Sequence, residues 1–130
     1  MDTHIALWAI ANSTRLPDKV TALLESPANK IYYSVASVWE VAIKHKIKPD
    51  QMPMPEEAFV ELCEATGFLQ LPILAEHIYA VKDLERLESA PRHNDPFDRI
   101  LISQAKVEGM NFVTHDALLQ YYKEDCVLFV

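Results

Sequence analysis

Glycine is almost missing from this chain: two residues in 130, against eight prolines. A phosphate-cradling loop of the Walker or dinucleotide type needs several glycines close together, so both are excluded. Cysteine is equally sparse. Cys63 and Cys126 lie far apart and form no C-x-x-C, which argues against a zinc site or a redox dithiol; both read as buried, reduced thiols. Apolar runs fall well short of the roughly 18 residues that a membrane-spanning helix requires. The N-terminus, MDTHIALWAI, has no basic stretch ahead of its apolar residues, so no secretory signal is read and a cytoplasmic location is expected. Positive charge is scarce too. Twelve Lys and Arg face 19 Asp and Glu, a net charge of −7, the reverse of the clustered basic surface with which a general nucleic-acid binder meets phosphate.

Against these shortages, half of the residues are apolar, enough to offset chain entropy and exclude a disordered tail. No repeat, low-complexity tract or charge block divides the sequence, and one domain over residues 1–130 is expected. Short β-rich runs alternate with helical periodicity. Ile31–Ser34 reads as a strand, followed by Val35, Val38, Trp39, Ala42 and Ile43 at helical spacing. Pro55-Glu56-Glu57 opens a helix with Phe59, Leu62 and Cys63 on one side and Gly67 as its stop. Leu69 to Leu74 reads as a short strand that Pro72 pushes towards a sheet edge. Ala75 to Leu87 reads as an amphipathic helix with Ile78, Val81 and Leu84 as its stripe. A well-marked helix runs from Phe97 to Val107 and stops at Gly109. Phe112–Thr114 and Val127–Val130 read as strands bracketing a helix from Ala117 to Tyr122. This alternation predicts an α/β fold, a three-layer α/β/α sandwich around a mainly parallel central sheet.

In open parallel sheets, function gathers beyond the carboxyl ends of the strands. Four acids recur there: Asp2 before the first helix, Glu40 early in the helix after Ile31–Ser34, Asp98 at the start of the Phe97 helix, and Asp116 after Phe112–Thr114. Each has a purely structural explanation. Asp95-Pro96-Phe97-Asp98 is an N-cap, a proline at N1 and an acid at N3. Asp116 fits another N-cap, Glu40 precedes Lys44 by one helical turn, and Asp2 fits a frayed end. Together they suggest more. Glu40 lies about 100° from Trp39, at the edge of the apolar stripe, where a carboxylate reaches the sheet rim. Carboxylates converging on one rim repel each other unless a cation intervenes, and oxygen-only ligands select hard ions, Mg²⁺ or Mn²⁺. The chemistry natural to one or two such ions is hydrolysis of a phosphodiester.

Asp2-Thr3-His4, Ser34-x-x-Ser37-x-Trp39-Glu40-x-x-Ile43-Lys44, His93-x-Asp95-Pro96-Phe97-Asp98-Arg99 and Thr114-x-Asp116 appear in that order. The series resembles the PIN-domain ribonucleases, specifically VapC-like toxins of type II toxin–antitoxin modules, over essentially the whole chain. The D-P-F-D-R segment is its most specific part. The resemblance implies a Mg²⁺- or Mn²⁺-dependent endoribonuclease acting on RNA, a homodimer, and a small antitoxin partner. It places Asp2, Glu40, Asp98 and Asp116 at the four acidic positions that bind metal and carry catalysis. Asp95 and Thr114 are secondary members, Asp95 because capping alone accounts for it and Thr114 as the hydroxyl beside the fourth acid. In the family several apolar residues precede the first aspartate as a central strand, whereas here only Met1 does. Either that strand is severely shortened, leaving Asp2 poorly anchored, or the natural N-terminus is longer, which is the expectation.

Lys44 and Lys46, in the one concentrated basic run, and Arg99, beside Asp98, are candidates for contacting substrate phosphate. The alternatives are a solvated helix end for the lysines and, for Arg99, an ion pair that orients an acid. His93 and His115 adjoin candidate acids and read as ordinary rim residues or phosphate contacts. Trp8 and Trp39 read as core or dimer contacts rather than base-stacking platforms. Two rivals come from other classes: a catalytically inactive PIN-like module that binds protein or RNA, and a haloacid-dehalogenase phosphatase. The phosphatase needs a second acid two positions after Asp2, where His4 stands.

Overall fold

The structure, a computed structural model, describes all 130 residues. Helix α1 (Thr3–Ile10) starts at Asp2, whose carboxylate accepts from the His4 amide, and α2 spans Asp18–Glu25. Strand β1 (Tyr32–Ser34) runs directly into α3 (Val35–Ile47), with the Ser34 hydroxyl accepting from the Ala36 amide as N-cap. Helix α4 (Glu56–Ala65) begins behind Pro55, then β2 (Leu69–Leu71) stops at Pro72. Helix α6 (Pro96–Glu108) has the clearest local signals: Asp95 caps it, Pro96 opens it, and Gly109 closes it at φ +68°, a conformation that favours glycine. Strands β3 (Phe112–Thr114) and β4 (Val127–Phe129) complete the chain.

Two expected helices come out differently. Residues 75–87 form only α5 (Ala75–Tyr79) and a 3₁₀ turn over Ala80–Asp83 before Leu84 turns extended. Side chains of α6 take up carbonyls that a continuous helix would use: the Ser103 hydroxyl donates to the His77 carbonyl, and Arg99 donates to that of Val81 at 3.2 Å. Ile78 is consequently exposed instead of lining a buried stripe. Ala117–Tyr121 is likewise a 3₁₀ turn, capped by Asp116. Leu62 and Trp39, expected on buried faces, are exposed; Cys63 is buried and Cys126 only half-buried, and both are free thiols.

Pairing is parallel, as the alternating pattern predicts, with Tyr32 opposite Leu69 and Phe112 opposite Val127. The four strands form two separate pairs, β1–β2 and β3–β4, and the helices pack around them in an α/β sandwich. Between β1 and β3 lies a mainly apolar slot of about 320 Å³ whose walls include Met1, Ile31, Tyr32, Leu101, Phe112 and Val113. The Asp2 amide reaches across its end to the Val113 carbonyl at 2.9 Å. Burial at this point pulls the Met1 amino group down to a pKa of about 6.

Helix α3 joins two apolar cores. Its Val41 packs with Ala6, Tyr33, Phe59 and Cys63, while its Ala36 packs with Leu101, Ile102, Phe112 and Leu119. Between them runs a buried polar seam. Thr3 and Ser37 share a hydroxyl hydrogen bond of 2.8 Å, tying α1 to α3. The Ser34 hydroxyl donates to Gln104 Oε1 at 2.5 Å, and Gln104 Nε2 donates to the Pro72 carbonyl at 3.1 Å, tying α6 to the ends of β1 and β2. Removing one partner from such a seam leaves buried groups unsatisfied, at about 1–3 kcal/mol each. Gln104→Ala is therefore expected to lower stability by about 2 kcal/mol or more, seen as a drop of several degrees in Tm by thermal denaturation. A Tm within one degree of wild type would contradict a structural role for the seam.

Candidate metal-binding and catalytic centre

The four candidate acids come from four segments, and each is anchored by its own partner. Asp2 is 5% exposed, not frayed. One of its carboxylate oxygens caps α1, and the other accepts from the Thr114 hydroxyl at 2.7 Å. Thr114 Oγ1 in turn accepts from the Asp116 amide at 3.0 Å, so one buried hydroxyl links the first aspartate to the last. Asp116 caps the turn that follows it, accepting from the Leu118 amide at 2.9 Å. Glu40, 4% exposed, accepts from Lys44 Nζ at 2.5 Å. Asp98 Oδ2 lies 3.1 Å from His93 Nε2. Asp95 accepts from the Phe97 and Asp98 amides at 2.9 and 3.4 Å, a capping duty that uses one of its two oxygens.

Charge shows where these groups converge. The Asp98 carboxyl is pushed up to about 8, first by burial and then by the charges of Asp2, Asp95, Glu40 and Asp116. All the other candidate acids thus act on this one carboxyl. Lys44 sits among them: burial opposes its charge, but the Glu40 contact and the Asp95 and Asp98 charges outweigh that and raise its pKa.

The remaining candidates separate. Lys44 is held on Glu40. Lys46 lies on the exposed last turn of α3, about 9 Å further along the helix axis from Glu40 and on a different side. Arg99 forms no ion pair with an acid. Its guanidinium donates to the Tyr122 hydroxyl and the Val81 carbonyl, both at 3.2 Å, so it braces α6. His115 is exposed and stacks on Phe129, with ring planes 4° apart.

His93 is the residue whose role the sequence concealed. Rather than lying free on the rim, it is buried between Asp98 and Tyr122, with Nδ1 2.9 Å from the Tyr122 hydroxyl. Burial, aided by the Arg86 charge, lowers its pKa and so favours the neutral ring. Its position five residues before Asp98, across a proline-started helix, was the available signal; Tyr122, 29 residues away from it, gave none.

The donor set suits a hard divalent cation: carboxylate oxygens, one hydroxyl, and buried like charges that a cation would relieve. No three His, Cys, Asp or Glu side chains stand together as a ready-made metal site. The reason is visible in the bonds above. Glu40 is drawn to Lys44, Asp2 to Thr114 and Asp98 to His93, so the carboxylates converge in field but not in contact.

Comparison with known proteins places this geometry. A chain of the Rickettsia felis VapBC2 complex, solved bound to a DNA fragment from its promoter, has a similar fold. The TM-score is 0.66 at 19% identity, covering 99% of this chain and 94% of that one. No curated protein matches in sequence. The PIN domain matches residues 1–124, nearly the entire chain. The protein belongs to the PIN domain family.

Proposed function

We propose that this protein is a Mg²⁺- or Mn²⁺-dependent endoribonuclease, the toxin of a toxin–antitoxin pair, hydrolysing RNA phosphodiester bonds. The observation that carries the reading is Asp98: a buried carboxyl pushed up to about 8 by acids from the other segments, inside a PIN domain. Perturbation of this kind is typical of functional sites. Asp2, Glu40, Asp98 and Asp116 would hold one or two ions, with Asp95 and Thr114 at the periphery. A bound ion supplies a Lewis acid that lowers the pKa of water and shields the scissile phosphate. The chain's own residues aim the donors. Thr114 fixes the rotamer of Asp2, His93 steers Asp98, and the caps at Asp2 and Asp116 hold two acids at element ends facing the rim. Lys44 balances Glu40 and would be the nearest ammonium to a phosphate held at the acids.

The structural neighbour is a chain of a VapBC2 complex, which supports a small antitoxin partner here; the proposal also takes the protein to act as a homodimer in the cytoplasm. No helix is long and apolar enough to cross a membrane. One observation favours a second reading, a catalytically silent PIN module that binds protein or RNA: no metal site is ready-made.

Calorimetry with Mn²⁺ separates the two. The nuclease reading expects binding with proton release, because Asp98 must give up its proton to ligate. Affinity should rise by up to tenfold per pH unit between pH 6 and 8, and level off above the Asp98 value of about 8. Absence of Mn²⁺ binding at pH 8 would support the silent module. In chelator the sign is opposite for stability. The folded state holds a proton on Asp98 that the unfolded state releases near 3.8. Stability should therefore fall as pH rises from about 4 to 8, by at most about 1.4 kcal/mol per unit. Asp98→Asn should flatten that slope, raise Tm at pH 8 in chelator, and abolish stabilisation by Mn²⁺. In a cleavage assay on total RNA, Glu40→Gln and Asp98→Asn are each expected to lose at least 100-fold in rate while remaining folded. Wild-type rates from either variant would overturn the mechanism.

A further inference from the structure

The acids do not stand alone on their helices. Glu40 on α3 directly follows Trp39, and Asp98 on α6 directly follows Phe97, and the two aromatic rings meet edge to face with centroids 5.2 Å apart at 79°. Trp39 is nevertheless 60% exposed. A large ring left this open beside a polar cluster, yet fixed in orientation by a second ring, is a prepared surface rather than a piece of core. It forms one wall of an apolar hollow of about 620 Å³, completed by Ile73, Ile78, Pro96 and Phe97, with the exposed Lys82 at its margin.

We infer that this hollow receives an unpaired nucleobase of the RNA substrate, stacked on Trp39, next to the phosphate held at the acids. The inference deepens the nuclease reading and rests on it. Three observations select a base as the occupant. Two of its walls, Trp39 and Phe97, sit one residue before Glu40 on α3 and Asp98 on α6, so the hollow opens within one residue step of two of the acids, on the adjoining side of each helix, and a strand whose phosphate lies at the acids has a neighbouring base within reach of it. The cation at its margin complements a neighbouring phosphate. The chain as a whole carries −7, so backbone attraction is weak, and affinity for a single strand has to come from contacts that ignore charge. Stacking on an exposed aromatic is such a contact, available to every base and dependent on single-strandedness. This assigns Trp39 the platform role that the sequence pattern disfavoured.

The test uses a short unstructured oligoribonucleotide carrying 2-aminopurine at each position in turn. Binding is measured with Asp98→Asn protein in chelator, where no cleavage occurs. Quenching of 2-aminopurine at one position is expected, and Trp39→Ala in the same background should restore its fluorescence and weaken binding about tenfold. Trp39→Phe should keep most of the quenching. In the otherwise wild-type protein with Mn²⁺, Trp39→Ala should raise KM with little change in kcat. Equal quenching with and without Trp39 overturns the inference. So does a Trp39→Ala protein that shifts from dimer to monomer in sedimentation with oligonucleotide binding unchanged, since the hollow then serves a second copy of the chain. The two readings fail separately: cleavage that proceeds with Trp39-independent binding removes the base site alone, whereas Trp39-dependent quenching without cleavage under any divalent ion removes the nuclease and leaves an RNA-binding site.

Discussion

Buried negative charge is the constraint around which this fold is arranged. Four carboxylates, Asp2, Glu40, Asp95 and Asp116, bear on Asp98, whose own burial makes its ionised form expensive. The protein meets that cost locally. Every candidate acid has a partner of its own: a donating backbone amide at a helix or turn start for Asp2, Asp95 and Asp116, a donating ammonium for Glu40, and an imidazole nitrogen sharing a hydrogen bond with Asp98. The first three use the positive end of a helical element, where unpaired amides and the backbone dipole favour an anion. Capping and function are thus not competing explanations of these aspartates. A carboxylate has two oxygens, and Asp2 shows both uses at once: Oδ1 caps α1 while Oδ2 joins Thr114 in the centre.

Holding such groups at fixed positions requires a rigid frame immediately beneath them, and the buried polar seam supplies it. Ser34 caps α3, which carries Glu40, and the same hydroxyl binds Gln104 of α6, which carries Asp98. The Thr3–Ser37 bond fixes α1, which follows Asp2, against α3. Two short parallel strand pairs, not joined by backbone bonds, would be a weak platform by themselves. Side-chain hydrogen bonds between helices and strand ends perform the alignment that a continuous sheet would otherwise share.

The legible parts of the sequence were those governed by local rules. Asp95-Pro96 and Gly109 define α6 to within a residue because cap, proline and left-handed glycine act within one turn. The short strands were legible from apolar runs flanked by breakers, and Pro72 marks the end of β2 as expected. What failed was decided across the chain. The helix expected over residues 75–87 tightens into a 3₁₀ turn whose Val81 carbonyl serves both the Leu84 amide and Arg99, while the His77 carbonyl accepts from Ser103, contacts from another element that no periodicity reveals. Arg99 was misread for the same reason. Adjacent to Asp98 in sequence, it points to Tyr122 and Val81, because neighbours on a helix diverge by about 100°. The acids could be named one by one, but their mutual influence on Asp98 exists only once four segments have been folded together.

The charge deficit also takes on a different meaning in three dimensions. Four of the seven excess negative charges belong to the candidate acids, and a divalent ion among them would turn a repulsive patch into one that attracts phosphate. The attraction would then be confined to a few ångströms around the centre, since the surrounding surface offers little positive charge and salt screens the rest. On the proposed nuclease reading, such a protein would gain little from tracking RNA by its backbone. Discrimination would then arise where one phosphate and its neighbouring base are engaged together, which would put selectivity at the border between the carboxylates and the Trp39–Phe97 wall rather than in a long basic groove.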